Sequence, residues 1–109
     1  MANSFKNYIN SAVGTSPTGL ACPVGGTITV IGMSLTNETA SNIKVTSYVA
    51  DNSASKNGYL AYNAIIPPGG NFVVIGGDQK VVLESSDQLL SYSDTVSSFS
   101  IVISYMLTT

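Results

Sequence analysis

Three carboxylates come nearest to a catalytic pattern in this sequence. Asp78, Glu84 and Asp87 follow one another within a short, turn-rich segment. A facing pair of carboxyl groups is what a glycosidase uses as its acid and its base. All three stand at or beside turns, however, where Asp side chains accept hydrogen bonds from nearby backbone amides. The sequence therefore favours a structural role for these carboxylates over catalysis.

A second oxygen-rich segment, residues 51–58, reads DNSASKNG and has oxygen ligands at alternate positions, as calcium loops do. Lys56 stands at its sixth position, where such a loop needs Gly, and Tyr62 stands at the twelfth, where a bidentate Glu is needed. The Gly69-Gly70 and Gly76-Gly77 pairs lack the helix and the Lys spacing of a phosphate-binding loop. We therefore predict turns and a polar hairpin loop, with no metal and no cofactor.

The residue types needed for other chemistry are absent. The chain has no His and no Arg, so its many serines lack an evident base and phosphate recognition lacks a basic stripe. Cys22 has apolar neighbours and is predicted to be a small buried residue rather than a nucleophile. No apolar run reaches the roughly 18 residues of a membrane span, and the N-terminus lacks the pattern of a signal peptide. We predict that the protein is not an enzyme and binds neither nucleic acid nor membrane.

Charge is unusually scarce in this chain. Asp, Glu, Lys and Arg make up 9% of the 109 residues and the net charge is −2, against roughly 25% charged residues in an ordinary soluble domain. Ser, Thr and Asn supply the polar surface instead. Such a surface suits dense packing among many copies, or the exterior of a secreted β-domain.

Three tyrosines flank the polar loop. Exposed Tyr48, Tyr59 and Tyr62 could stack on sugar rings or anchor a protein interface. Alternatively, one or two of them cap the core and keep only their hydroxyl groups in water. If they are exposed, a protein interface is the favoured reading.

The strands that must carry these residues follow from the turns. Within residues 65–90, three short apolar runs are separated by turns at 67–70, 76–78 and 85–87, which is typical of a small antiparallel β fold. Residues 4–13 fit either a helical stripe or a strand, and the turn that follows favours a strand forming a hairpin with residues 19–22.

The remaining strands are predicted from alternation. Residues 27–36 form a long strand with a bulge near Ile31-Gly32, and 42–50 form a strand with one wet face. Residues 59–66 place Leu60, Tyr62, Ala64 and Ile66 on one face, and 97–106 form the clearest half-buried strand. We predict one domain over residues 1–109, an all-β antiparallel sandwich of eight or nine strands resembling a jelly roll, with 1–13 as an N-terminal arm or edge strand.

Several of these segments also resemble a known family. They are MANSFKN at the N-terminus, Cys22-Pro23, TVIGMSLTN at 29–37 with the Thr39-Ala40-Ser41 turn, and IPPGG at 66–70 through VVIGGDQK at 73–80. Together they are similar to small virion structural proteins of tailed bacteriophages, over nearly the whole chain. No catalytic residue comes with the resemblance.

The resemblance implies a symmetric homo-oligomer, a trimer or a ring, that decorates or cements the capsid and contacts the major capsid protein. The alternatives are an accessory protein of the neck, collar or tail, which would contact neck or tail proteins, and a glycan-binding adhesive module of the tail. The location would be the virion, after synthesis in the host bacterial cytoplasm. The predicted interface residues are Phe5, Tyr8, Ile9, Tyr48, Tyr59 and Tyr62.

Overall fold

The computed structural model, which describes residues 3–76 and 79–109, contains nine β-strands. They are β1 (Asn3–Val13), β2 (Thr18–Ala21), β3 (Thr27–Asn37), β4 (Ile43–Asp51), β5 (Lys56–Ile66), β6 (Asn71–Ile75), β7 (Val81–Leu83), β8 (Gln88–Ser93) and β9 (Phe99–Thr108). Within those two ranges no helix is long and apolar enough to cross a membrane. The all-β fold predicted from the turn spacing is confirmed.

Hydrogen bonds join the strands into two antiparallel sheets. Sheet A has the order β1-β9-β3-β6, with β7 also paired to β3, and sheet B has the order β2-β8-β4-β5. The chain crosses repeatedly between the sheets, and β4 and β5 form a hairpin within sheet B. This strand order is that of a jelly roll, so the predicted sandwich is confirmed.

The inward side chains of the two sheets form one core. In β9 the alternation is strict: Phe99, Ile101 and Ile103 are fully buried, whereas Val102 and Ser104 are exposed. The core is completed by apolar residues of the other strands, among them Ile28, Val30, Met33, Leu35, Ile43, Val45, Ile66, Ile75, Leu83 and Leu89. The strand that the sequence predicted most clearly is therefore a central part of the core.

The bulge predicted in β3 is confirmed. The pairing of β3 with β9 shifts register between Val30 and Gly32, so that Val30 pairs with Tyr105 and Gly32 with Ser104. The extra residue, Ile31, points outward while Val30 and Met33 are both buried. The bulge thus lets the apolar residues before it, Ile28 and Val30, and those after it, Met33 and Leu35, all face the core.

A second bulge, in β5, makes one prediction wrong. Tyr62 does not share a face with Ile66, because the pairing of β4 with β5 shifts between Val45↔Ala64 and Ser47↔Ala61. Asn63 adopts a positive φ of 52° at this point, and its backbone N–H donates to the Thr46 hydroxyl. Ala61 takes the inward position, and Tyr62 points into solvent.

Two connections also differ from the prediction. The hairpin between residues 4–13 and 19–22 is wrong, because β1 pairs with β9 in sheet A and β2 pairs with β8 in sheet B. The polar loop over 51–58 is shorter than predicted, since Ala50↔Asn57 and Asp51↔Lys56 are still paired. In the predicted turn at 76–78, Gly77 and Asp78 lie outside the described residues, as do Met1 and Ala2.

Asn37 holds one corner of the sandwich. Its side-chain amide donates to the backbone carbonyls of Ser41 and Ile66, at 2.8 and 2.9 Å, and its Oδ1 accepts from the Thr39 backbone N–H. The residue is buried, so these bonds replace the water that its amide would otherwise need. They tie the end of β3 to the end of β5 in the opposite sheet.

Gly19 lies where β2 approaches β8 too closely for any side chain. A Cβ placed on Gly19 would stand 1.9 Å from the Leu89 carbonyl oxygen, whereas a Cβ on Gly58 would meet nothing within 4 Å. Since β2 must move to accept a methyl group, we expect Gly19→Ala to lower the free energy of unfolding by about 1–3 kcal/mol. Urea denaturation should show the loss for Gly19→Ala and none for the matched Gly58→Ala. Equal effects of the two substitutions would contradict the close approach.

Candidate interaction surfaces

The predicted N-terminal interface residues lie on β1, an edge strand of sheet A. β1 pairs with β9 along its length, from Asn3↔Thr108 to Val13↔Phe99. Phe5 and Ile9 point away from the core and are 78% and 64% exposed, whereas Tyr8 packs against the core from the other side of the strand. Phe5 and Ile9 are therefore available to a partner, and Tyr8 is largely committed to the fold.

Phe5 and Ile9 begin two rows of side chains that cross the outer face of sheet A. The strand register places Phe5, Met106, Thr29 and Val82 side by side in one row. It places Ile9, Val102, Ser34 and Val73 in the other. Between the rows lies a shallow groove lined by Phe5, Lys6, Asn7, Ile31, Ser104 and Tyr105. Lys6 and Tyr105 are paired and alternate with the outward residues of their strands, so the register directs their side chains away from this face. We call this surface, from β1 to β6 and β7, face A.

None of the described strand residues that point outward on face A is charged. The outward residues of its strands are apolar or bear only hydroxyl, amide or thioether groups: Asn3, Phe5, Asn7, Ile9, Thr29, Ile31, Ser34, Thr36, Asn71, Val73, Val82, Ser100, Val102, Ser104, Met106 and Thr108. An ordinary solvent-facing sheet alternates apolar inner residues with polar and charged outer ones. A five-stranded face without a single ionisable side chain among its described strand residues departs from that pattern.

The predicted tyrosines lie on the outer face of sheet B. Tyr48 of β4 and Tyr59 of β5 are directly paired, with ring centroids 5.5 Å apart. Tyr62 packs edge-on against Tyr59 at 5.3 Å, and Tyr92 of β8 packs edge-on against Tyr48 at 6.4 Å. We call these four rings the tyrosine cluster.

The rings differ in exposure. Tyr59 and Tyr62 are 53% and 66% exposed, whereas Tyr48 is half-buried between its neighbours. Burial raises the pKa of the Tyr48 hydroxyl, and the nearby Tyr92 and Tyr59 raise it further. The centre of the cluster therefore stays neutral well into the alkaline range. The bulge at Asn63 turns Tyr62 outward and so brings the fourth ring into the tyrosine cluster.

An acidic cluster forms at one end of the sandwich, and its members differ from those considered from the sequence. Carboxylate oxygens of Asp51, Glu84 and Asp87 lie within 4.8 Å of one another, whereas Asp78 is outside the described residues. Asp87 is buried, and its two oxygens accept backbone N–H groups of Asn52 and Glu84, each at 2.9 Å. It thus ties the β4–β5 loop to the β7–β8 turn. The geometry supports the structural role favoured by the sequence.

The carboxylates of Asp51 and Asp94 also accept backbone hydrogen bonds. The Ala54 backbone N–H and the Ser53 hydroxyl hold the pKa of the Asp51 carboxyl below its usual range. The Lys44 backbone N–H does the same for the pKa of Asp94, with a further bond from the Thr95 hydroxyl. Cys22 is buried, as predicted, and burial raises the pKa of its thiol. Each of these groups serves a local turn or the core.

Sequence reasoning missed the residues that join the predicted ones into surfaces. Val82 lies in the same row of face A as Phe5, and Val102 and Val73 lie in the same row as Ile9. Tyr92 is the further member of the tyrosine cluster. Their alternation within each strand was visible. The sequence did not show which strands are neighbours, because paired strands such as β1 and β9 lie at opposite ends of the chain.

Comparison with known proteins gives limited further information. No protein-family model matches the chain. No curated protein matches it either. Among solved structures, the chain is similar to two crystal structures of a pentameric capsid protein isolated from metagenomic phage sequences, with 19% identity and a TM-score of 0.41 in each case. The similarity covers 94% of this chain but 60% and 59% of those chains, so this chain spans less than two thirds of their length. A likeness at this level does not determine the function of this chain.

The role of Asp87 can be tested against its exposed neighbour. Asp87→Asn replaces an accepting oxygen by an amide nitrogen facing a backbone N–H, and we expect it to lower the free energy of unfolding by about 1–3 kcal/mol. Glu84→Gln makes the same chemical change at an exposed position and should cost less than about 0.5 kcal/mol. Both are measured by urea denaturation at neutral pH. A larger loss for Glu84→Gln would contradict the structural assignment.

The lowered pKa values of Asp51 and Asp94 predict how stability depends on pH. Because each carboxyl has a lower pKa in the folded state than in the unfolded chain, its ionised form stabilises the fold. That contribution is complete above the unfolded value of about 3.9 and is lost as the pH falls through the folded value. We expect the free energy of unfolding to decrease below about pH 4, and Asp94→Asn to reduce that decrease. Urea denaturation of both proteins between pH 2.5 and 7, values chosen to span the unfolded pKa, measures the difference; parallel curves would refute the assignment.

Proposed function

We propose that this chain is a structural component of a tailed-bacteriophage virion, and that it works as a symmetric homo-oligomer that decorates or cements the capsid. The sequence segments that resemble phage virion structural proteins support the proposal. The jelly-roll fold is compatible with it, since that fold occurs in viral capsid domains, although it also occurs in lectins and enzymes. The fold alone therefore does not carry the proposal.

The observation that carries it is face A. Monomeric soluble proteins rarely expose contiguous apolar patches larger than a few hundred square ångströms, and larger ones mark interaction sites. Two rows that include Phe5, Ile9, Val102, Val73 and Val82 extend across sheet A; each is interrupted by one hydroxyl residue, Thr29 or Ser34, and none of their residues is charged. A protein that works by contact with neighbouring subunits needs such a surface, and a free monomer has to keep it in water.

The tyrosine cluster is a second surface, on the opposite sheet. Tyr and Trp are enriched among the residues that dominate binding energy at interfaces, because they combine a large apolar ring with a hydrogen-bonding group. Tyr59 and Tyr62 are exposed in this way, Tyr48 packs against Tyr59, and Tyr92 packs against Tyr48. We assign this cluster to contacts with another virion protein, such as the major capsid protein.

Two surfaces on opposite sheets explain how weak contacts would produce firm attachment. Many copies on one particle multiply weak contacts, because each contact that forms raises the effective concentration for the next. Short turns and buried anchors such as Asn37 keep the sandwich rigid, so little order has to be gained on docking. A neck, collar or tail accessory protein would use the same two surfaces, and location in the particle distinguishes these roles.

The proposal includes no catalysis. The chain has no His, and the buried carboxylate of the acidic cluster accepts two backbone hydrogen bonds. General acid–base work requires a carboxyl group whose proton is free to move to a substrate. The arrangement of Asp51, Glu84 and Asp87 is better suited to joining two loops.

The experiment that tests the function locates the chain in particles purified from the infected host. We expect the protein to copurify with the particles, and a label on it to be seen by electron microscopy over the shell. Tyr59→Ser combined with Tyr62→Ser should weaken rebinding of the purified protein to depleted particles by about tenfold or more. Val24→Ser, an exposed apolar residue in the turn between β2 and β3, is the control and should rebind normally.

The alternative results are distinct. Label confined to one vertex or to the tail would replace the capsid role by a neck or tail role. Binding to host polysaccharide that is lost in the tyrosine variant would favour the adhesive module. Absence of the chain from purified particles would refute the proposed function.

A further inference from the structure

The two apolar rows of face A have the properties of a surface that contacts a copy of itself. We propose that face A is a two-fold interface with a second copy of this chain, in which the same face of each copy meets the other. The inference deepens the proposed homo-oligomer and rests on it, and it replaces the trimer or ring expected from the sequence resemblance by a two-fold pair. It also leaves the tyrosine cluster on sheet B free for a different partner.

Charge is the first reason for choosing a second copy as the occupant. In a two-fold contact the same surface is present on both sides, so a charged residue near the axis meets its own copy and like charges repel. Face A carries no charge on its described strand residues, and it is therefore free of that penalty. A foreign protein is ordinarily selected by complementary charge, and face A offers none.

The polar groups of face A are also self-compatible. Between and within the apolar rows lie Asn7, Ser104, Ser34 and Thr29. Each amide and hydroxyl group both donates and accepts hydrogen bonds, so a copy of the same surface can satisfy them. Lysine or carboxylate side chains, which only donate or only accept when charged, would not pair with their own copies in this way.

The area is sufficient for a stable pair. The three long strands β1, β9 and β3, with the five-residue β6 and the three-residue β7, are spaced about 4.8 Å apart and cover a footprint of about 600 Å² on each copy. Two such faces bury about 1,200 Å², the lower end of the range for specific protein interfaces. Sheets pack face to face inside the sandwich itself, so two A faces can pack by the same geometry.

The test uses a matched pair of substitutions in the full-length chain. Ile9 on face A and Ile65 on the outer side of sheet B are the same residue type, are 64% and 62% exposed, and each lies in an eleven-residue edge strand. Ile9→Glu places two like charges in the proposed contact, whereas Ile65→Glu places one charge beside Lys44, its cross-strand neighbour. Val73→Glu, at the far end of the same row as Ile9, provides a second test of face A.

Sedimentation velocity over a range of protein concentrations measures self-association. We expect the wild-type chain and Ile65→Glu to form pairs or even-numbered assemblies, and Ile9→Glu and Val73→Glu to associate about 100-fold more weakly or not at all. Thermal unfolding should show that both face A variants remain folded. Because no charge pair holds the contact, we expect wild-type association to persist in 1 M NaCl, where exposed charge pairs are screened.

Three results would overturn the inference. They are a wild-type chain that stays monomeric at all concentrations, an assembly of three chains, and an assembly that Ile65→Glu dissociates while Ile9→Glu does not. The last two leave the proposed virion role intact, since an oligomer would still form through another surface. Conversely, pairs that form through face A in a protein absent from purified particles would uphold the inference and reject the proposed function.

Discussion

The burial of one side of β9 is the interaction on which the rest of the structure depends. β9 lies between β1 and β3 in sheet A, so its inner residues Phe99, Ile101 and Ile103 fix the register of both neighbours. A shift of one residue would bring Ser100, Val102 and Ser104 into the core and expose the aromatic and isoleucine side chains. The register of sheet A is therefore strongly specified by its buried residues. The same register decides which alternate residues of these strands point outward.

This coupling explains why the candidate surfaces lie on sheets and not on loops. The rows of face A are formed by residues that alternate with core residues in β1, β9, β3 and β6, and they inherit the rigidity of the core. Two of the bulges in these sheets change which side chains point outward at the candidate surfaces. In β3 the bulge turns Ile31 outward while keeping its neighbours buried, and in β5 the bulge turns Tyr62 towards Tyr59. Bulges commonly re-aim side chains in this way without ending a strand.

Sequence patterns predicted the elements of this fold better than their partners. Alternation found β9, and the change of phase near Ile31 found the β3 bulge, because both are local features of one strand. The hairpin expected between β1 and β2 was wrong, since a turn sequence does not show whether the chain returns within a sheet or crosses to the facing one. Tyr62 was wrongly placed on the same face as Ile66, because the β5 bulge depends on the positive φ of Asn63, which its neighbours in sequence do not require.

The candidate surfaces were predictable to a similar degree. Phe5, Ile9, Tyr59 and Tyr62 were singled out from the sequence, and all four are exposed in the structure. The residues that complete each surface, such as Val102 and Tyr92, become neighbours only through long-range strand pairing. The acidic cluster shows the same limit, because Asp51 meets Asp87 across two loops that are distant in sequence.

The scarcity of charge is compatible with the proposed contact between copies. A net charge of −2 gives little repulsion between molecules. Low repulsion favours the proposed contact between copies, but it also favours unwanted association. Edge strands are where unwanted pairing begins, and a lysine on an edge is a common means of preventing it. Lys6 lies in the middle of β1, on the strand face opposite Phe5 and Asn7 and outside face A. A charge at this position opposes pairing of β1 with further strands and leaves the outward residues of β1 uncharged. Alternate residues of one strand would thus provide both edge protection and the proposed face-to-face association.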